Sequence, residues 1–281
     1  MRVRPGLDDK VLTSWNGLTI DALALAGAVL NEPRYVDAAR RCADFLWTNL
    51  RRADGRLLHS WRDGRAKLDA YLDDYAALAD GLVTLFEATG ETIHIERALE
   101  LCDAIQKHFV DPHGGFFFTA DDHEELLVRH KDLQDNAVPS GNSLAASAFI
   151  RLAKLTGRAD PHDAALGIFR NGASLIERYP SAAGRLLTAY DFAFGPTPEF
   201  VLSGASTATE RGLLSTWLPR RVTAILRDGA VIPPALTDLF AGKTAVDGRP
   251  TLYVCENFAC QTPVVGEDAI AKRLTELARS K

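Results

Sequence analysis

Cysteine is scarce: four residues in a chain of 281, at positions 42, 102, 255 and 260. That excludes a disulfide-built scaffold, which needs a dense set of cysteines. A basic surplus is also missing. Against 32 Lys and Arg stand 37 Asp and Glu, for a net charge of -5. No basic patch marks a nucleic-acid footprint, so nucleic acid is not an expected partner. No run reaches the ~18 apolar residues that a membrane helix needs, so no membrane span is expected. The opening MRVRPGLDDK lacks the apolar stretch of a secretory signal. A cytoplasmic setting is the default expectation. What is present, 47% hydrophobic and 25% charged residues, suits a globular protein with a substantial core.

Helices of two kinds alternate along the chain. Residues 17–30 (GLTIDALALAGAVL), 76–86 (AALADGLVTLF) and 143–155 are apolar almost all round, which predicts helices covered on every side. Residues 34–50, 93–109 and 161–178 each carry one apolar stripe, such as Ile95, Ala98, Leu99, Cys102, Ile105 and Phe109. Charge opposite the stripe predicts a solvent face. Each apolar helix reaches its amphipathic partner through a short link: Asn31-Glu32-Pro33, Thr89-Gly90-Glu91 or residues 156–160. Short links make antiparallel hairpins. The returns, residues 51–71 and 110–139, are long and carry Asp54-Gly55, Asp63-Gly64 and Gly114-Gly115. Around those turns, residues 57–61 and 116–119 predict small β-hairpins. The approaches to the apolar helices repeat loosely: DKVLTSWN from Asp9, DAYLDDYA from Asp69 and DNAVPSGN from Asp135.

The expectation is a mainly α fold over residues 1–195, an α/α hairpin toroid or the part of one that three units can build. A partial ring has two raw edges, which would favour self-association. Near Pro196-Thr197-Pro198 the character changes. Residues 199–203, 207–217 and 221–227 read as strand, helix and strand, followed by a strand at 251–255 and a helix at 267–279. They predict a right-handed crossover in a small α/β region over residues 196–281.

The long returns all enter the heads of the apolar helices and so collect at one rim. Unpaired backbone N–H groups and positive dipole ends point there too. Loops on a rigid scaffold are where function concentrates. The catalytic candidates on this rim are His59, Asp73, Asp74, His130 and Asp135. The candidates for substrate binding are Lys10, Trp15, Asn16, Trp61, Tyr75, Ser140 and Asn142. Plainer readings stand beside these. Ser14, Asp74 and Ser140 fall where helix caps belong. Trp15 and Tyr75 suit core packing as well as stacking on a sugar. Asp9, Asp69 and Asp135 suit turn closure.

Two chemistries fit such a rim. Asp73 or Asp74 facing Asp9 or Asp135 would supply the two carboxyl groups of glycoside hydrolysis. Histidine suits proton transfer near neutral pH. His59 and His130 both follow a β-like piece and precede an apolar helix, as bases for sugar epimerisation would. The other histidines (His94, His108, His113, His123 and His162) are expected to be solvated. No ligand set of zinc type is visible, so neither metal nor cofactor is expected. Cys42 and Cys102 fall on buried stripes. Cys255 and Cys260 lack the close Cys-x-x-Cys spacing, and packing is the expectation for them.

Three strings carry a resemblance: RPGLDDKVLTSWNGL at 4–18, NAVPSGNSLAA at 136–146 and LYVCENFACQTPV at 252–264. In order, and over nearly the whole chain, they resemble the C-terminal part of thioredoxin-domain-containing proteins related to spermatogenesis-associated protein 20. The resemblance implies an α/α toroid of the six-hairpin glycosidase type, related in fold to N-acylglucosamine 2-epimerases. It also implies an upstream thioredoxin-like domain and further hairpins as partners of this part, and with that domain a redox pair at Cys255 and Cys260 as the alternative to packing. The functional expectation is a carbohydrate-directed enzyme, epimerase- or glycosidase-like, or a truncated remnant of one, with a small sugar as ligand. The alternative is a non-catalytic helical module that binds a partner or accompanies the thioredoxin-like domain.

Overall fold

The computed structural model describes residues 5–257 and 259–279; Arg4 and Phe258, from the first and third strings above, lie outside the described residues. Three helical hairpins come first: α1 (Thr13–Leu30) with α2 (Pro33–Asn49), α3 (Leu72–Thr89) with α4 (Ile93–His108), and α5 (Gly141–Thr156) with α6 (Ala159–Arg178). Left-handed residues end the first helix of each pair: Asn31 (φ 56°), Gly90 (φ 73°) and Gly157 (φ 70°). Such a cap stops a helix within one residue and allows a tight reversal. A single helix, α7 (Gly184–Phe194), follows. Helices α1, α3, α5 and α7 pack side by side as an inner layer, and α2, α4 and α6 back it. The fold is an α/α hairpin toroid in part, followed by a small α/β region.

Position in the layer decides burial. Helix α3 lies between α1 and α5, and every residue from Asp74 to Phe86 is buried. Helix α1 has an inner-layer neighbour on one side only. Trp15, Leu25 and Val29 are 61%, 54% and 41% exposed. The expectation that residues 17–30 are covered all round is corrected here: an apolar surface is buried only where a neighbour exists.

Helices α1 and α3 meet through two glycines. A Cβ on Gly17 would lie 2.5 Å from the Ala77 carbonyl carbon, and one on Gly81 would lie 2.6 Å from the Gly17 carbonyl oxygen. Backbone cannot yield there as a side chain can. Gly17→Ala is expected to destabilise by about 1–3 kcal/mol, the range for overpacking. The measurement is the urea midpoint, which should fall at constant m-value. An unchanged midpoint would show that the helices separate freely.

A polar layer crosses these apolar contacts. Asp80 of α3 accepts from Ser147 (3.1 Å) and Arg151 (2.8 Å) of α5, and from Arg185 of α7. Arg151 also donates to Thr84 (2.9 Å) and Glu87 (2.6 Å), and Thr84 donates to Asp21 of α1. Burial alone would raise the Asp80 carboxyl, but Arg185 and Arg151 outweigh it and hold it below the ordinary range.

Three short strands, β1 (Val11–Leu12), β2 (Leu58–Arg62) and β3 (Arg65–Asp69), form an antiparallel sheet beside the helices. The second β-prone piece, residues 116–119, forms no strand. Phe116 makes only an isolated antiparallel bridge to Val110, and Asn142 takes its N–H (2.8 Å) and its C=O (2.9 Å), the groups a further strand would use.

The α/β region follows the expected order. Strand β4 (Glu199–Ser203), helix α8 (Thr207–Ser215) and strand β5 (Val222–Leu226) make a parallel crossover. A short helix, α9 (Thr237–Phe240), precedes β6 (Thr251–Glu256), which is antiparallel to β4. Strands β7 (Ala259–Cys260) and β8 (Val264–Val265) pair with β6, and α10 (Glu267–Arg279) closes the region. Alternation sends Val201, Val222, Ala224 and Tyr253 into the core shared with the helices. It sends Phe200, Leu202, Leu252 and Val254 against α8 and α10. Cys255 and Cys260 stand opposite each other in the β6–β7 register and form a disulfide. This corrects the first expectation, two packed thiols: pairing in register brings the sulfurs together.

Candidate active-site rim

Hydrogen bonds fix the rim. The Ser14 N–H, in the first turn of α1, donates to Asp74 Oδ1 on α3 (2.9 Å). A Cβ on Gly141, at the head of α5, would lie 3.0 Å from the Asp73 nitrogen. The Arg185 N–H, at the head of α7, donates to Asp135 Oδ2 in the return that leads to α5 (2.8 Å). The heads of the inner helices therefore lie together, and the long returns gather around them.

Asp74 is the third residue of α3 and is fully buried. Its Oδ2 accepts from the Tyr71 N–H (3.0 Å) and from His59 Nδ1 on β2 (2.8 Å). One carboxylate thus ties off the first turns of two helices and orients an imidazole. That hydrogen bond raises the His59 pKa, against a burial effect of opposite sign. With Nδ1–H committed to Asp74, the neutral ring offers Nε2 as its proton acceptor.

Asp73 sits beside this pair. Its Oδ1 is buried without a hydrogen-bond partner among the described residues. Burial, and next the Asp74 charge, push its carboxyl up to about 6, although His59 pulls the other way. An aromatic group borders the cluster. Tyr71 stacks on Phe118 (centroids 4.8 Å apart) and meets His59 and His123 edge-on at 5.2 and 5.5 Å. The arrangement provides an acid that titrates near neutrality, an oriented base and an aromatic wall.

The other candidates lie elsewhere. Tyr75 is fully buried against Phe109, and its hydroxyl accepts from Arg56 Nε (3.0 Å) and the Leu57 N–H (2.8 Å). Asn142 is buried and spends its amide on the main chain of Phe116 and Asp132. Ser140 caps α5 through the Ser143 N–H (3.1 Å). Asn16 donates to the Leu12 carbonyl and accepts from Cys42 Sγ. Trp61 packs edge-on to Phe45 at 5.3 Å. Lys10 is paired with Asp8 (2.6 Å), Asp9 with Arg62 (2.7 Å), and Trp15 lies on the open face of α1. Asp135 gives Oδ1 to the Ser140 N–H (3.0 Å) and Oδ2 to the head of α7. His130 is exposed, and its ring makes no hydrogen bond to the described residues.

So His59, Asp73 and Asp74 come together; His130 reaches the cluster through its main chain, whose carbonyl accepts the Phe118 N–H (2.8 Å), and Asp135 is held by the heads of α5 and α7. Tyr71, Phe118 and His123 complete the cluster and are not among the candidates from the sequence; His123, expected in solvent, is half-buried because it packs on the Tyr71 ring. Tyr71 carried a usable signal, an aromatic residue just ahead of the Asp73-Asp74 pair. His123 carried none. His94, expected in solvent, is buried against Glu91 (2.9 Å), because its side of α4 faces the core. His108, Asp121 and Asp122 are close enough to share a cation. Arg56 already holds both oxygens of Asp122 (2.5 and 2.9 Å), so the counter-charge there is a guanidinium. Among the described residues no helix is long and apolar enough to cross a membrane.

The chain is 32% identical to human spermatogenesis-associated protein 20 over 292 aligned positions, 97% of this chain and 37% of that protein. The mouse protein is 30% identical, with the same shares. The chain thus spans 37% of the length of the curated relatives it matches. No established family pattern matches it. Among solved structures, a GH76 alpha-mannanase of Bacteroides thetaiotaomicron superposes with a TM-score of 0.54 at 11% identity, covering 98% of this chain and 71% of that one. Cellobiose 2-epimerase of Spirochaeta thermophila gives a TM-score of 0.47 at 18% identity, over 60% of this chain and 43% of that one. At 11% identity the likeness to the mannanase is one of fold.

Proposed function

From a chain homologous to part of spermatogenesis-associated protein 20 and folded as a partial α/α toroid, we propose a carbohydrate-directed enzyme that works by proton transfer at the inner-helix rim. The observation that carries this reading is Asp73, a carboxyl raised to about 6 beside an Asp74-oriented His59. Groups poised near neutrality in pairs are what acid–base catalysis uses. A ligand hydroxyl or carbonyl beside Asp73 Oδ1 would supply the partner that this buried oxygen lacks.

The same geometry favours epimerisation over hydrolysis. Hydrolysis needs a second carboxyl group free to act on water or on the sugar. Both oxygens of Asp74 are engaged by three N–H donors. Asp74 therefore serves as a positioning residue. His59 Nε2 is left as the base, with Asp73 as the acid, for proton exchange next to a sugar carbonyl. The shared fold makes mannose and its 2-epimer glucose the first substrates to assay, followed by N-acetylhexosamines and β-linked disaccharides. The expected result is solvent deuterium entering C2 of a reducing sugar, followed by NMR in heavy water. No incorporation and no turnover across that panel would abandon the enzyme reading.

A second reading has its own observation. The open apolar face of α1, with Trp15, Leu25 and Val29 exposed, is what a helical module that binds a partner would show. Absence of turnover combined with concentration-dependent association would favour it.

A further inference from the structure

The β6–β7 hairpin carries a feature that the rim chemistry does not use. Its two strands are bridged by Cys255–Cys260. Among the described residues β7 is the last strand on its side of the sheet, next to β6. The two sulfurs sit in unlike surroundings. Cys255 is 2% exposed, with its side chain in the core shared with the helices, while Cys260 is exposed. The remaining cysteines differ from both. Burial pushes the Cys102 thiol well above its ordinary range and raises Cys42 as well. A thiol held protonated is a poor nucleophile. Cys260 is thus the one cysteine that an external thiol can readily meet.

The bridge also holds something in place. Just after Cys255, Glu256 and Asn257 lie at the seam between the helices and the sheet. There the Asn257 N–H donates to Glu199 on β4 (3.0 Å), and Lys154 at the end of α5 donates to Asn257 Oδ1 (3.0 Å). Glu256 and Asn257 form one wall of a cavity of about 450 Å³, faced by Lys154, Arg158 and His162. Glu256 and Asn257 are therefore a polar strap along that cavity, and the disulfide closes the loop that carries them.

We propose that Cys255–Cys260 is a reversible redox site for a dithiol reductant, and that its oxidation state sets the order of this strap. A thiolate of the reductant attacks Cys260 Sγ, the S–S bond breaks, and Cys255 leaves as a thiolate that takes up a proton. The second thiol of the reductant then displaces Cys260 and closes its own disulfide. One protein disulfide becomes two thiols, and one dithiol becomes a cyclic disulfide. The asymmetry sets the structural outcome. Cys255 stays packed in the core, while Cys260, exposed at the sheet edge, loses its covalent tie to β6.

The test uses the full chain in dithiothreitol redox buffers, with thiol counting and amide exchange as separate readouts. Alkylation after unfolding is expected to show two free thiols in the oxidised protein and four after reduction. In the native reduced protein, Cys260 should alkylate first. Amide exchange at Asn257 and Gln261 should rise about tenfold on reduction, as local opening does when a constraint is lost. The polar layer around Asp80 should stay protected. Cys260→Ser leaves the buried residue in place and should show the fast exchange already, without response to dithiothreitol. Four free thiols under every redox condition would overturn the proposal, as would exchange at the strap that ignores the redox state. Loss of protection throughout the chain on reduction would also overturn it, by making the bridge a general staple. Because none of these readouts is turnover, the result stands apart from the fate of the sugar-enzyme reading.

Discussion

Asp73→Asn is expected to remove turnover and, in the same protein, to make the fold more stable at alkaline pH. The loss of rate should be about 10²–10⁴-fold, the usual contribution of a positioned acid or base. The gain in stability follows from the direction of the shift. The Asp73 carboxyl moves up from 3.8 to about 6 on folding, so the folded state favours its protonated form. Its stabilising share is fully present below the ordinary carboxylate value and is lost as pH rises through about 6. At pH 8 the wild-type protein holds a charge that the fold disfavours. An amide there removes that charge, and the gain is up to about 2 kcal/mol, allowing for partial exposure. His59 acts in the same sense, because its pKa is raised as well. The slope of stability against pH between 5 and 8 should therefore flatten in the variant without vanishing. Urea midpoints at pH 5 and 8 check the prediction. Equal loss of stability at both would mean that Asp73 serves the fold alone.

Asp80→Asn is expected to have the largest effect on the fold itself. Asp80 is 2% exposed and binds groups from α5 and α7 at once. Neutralising it leaves Arg151 and Arg185 facing each other with less counter-charge in the interior. Removing one partner of a buried ion pair costs about 3–5 kcal/mol. That is a large fraction of the total stability of a typical domain, and it corresponds to a fall in Tm of roughly 10 °C for a chain of this size. The Asp80 carboxyl is held below its ordinary range. Its contribution is therefore present above about pH 4 and fades as pH falls through the lowered value. The difference between variant and wild type should shrink in acid. A control separates lost charge from lost shape. Replacing Asp80 and Arg151 together by apolar residues should recover part of the loss, because matched removal spares the interior an unpaired ion. A fall of less than about 1 kcal/mol for Asp80→Asn would show that water already reaches the layer.

The fold was largely legible in the sequence because apolar periodicity and link length both report neighbours along the chain. The two kinds of helix, the short links at Asn31, Gly90 and the turn after Thr156, and the crossover from β4 to β5 all follow from local pattern. What pattern cannot show is which side of an apolar helix lacks a neighbour, and so the burial of α1 was overestimated. The rim was legible for a related reason: long returns must enter the heads of the inner helices. Its chemistry was legible only in part. His59 and Asp73-Asp74 lie within one return and the helix it feeds, so a local reading reached them. His123 arrives from the next return and meets Tyr71 through space. By position His130 matches His59 and Asp135 matches Asp69, but a hydrogen bond made far along the chain ties Asp135 to the head of α7. Cys255 and Cys260 misled for the opposite reason. Their spacing departs from the close redox motif, yet strand register supplies the proximity that the spacing withholds.

The two-sided sheet of β4, β5 and β6 has a consequence for how the chain can be divided. One face completes the interior of the helical hairpins, and the other carries α8 and α10. A gene cut at Pro196 would therefore yield no pair of independent products. The upstream half would lack the floor of its own interior, and the downstream half would present Val201, Ala224 and Tyr253 to water. Duplication, fusion or domain shuffling would have to carry the whole stretch as one heritable block.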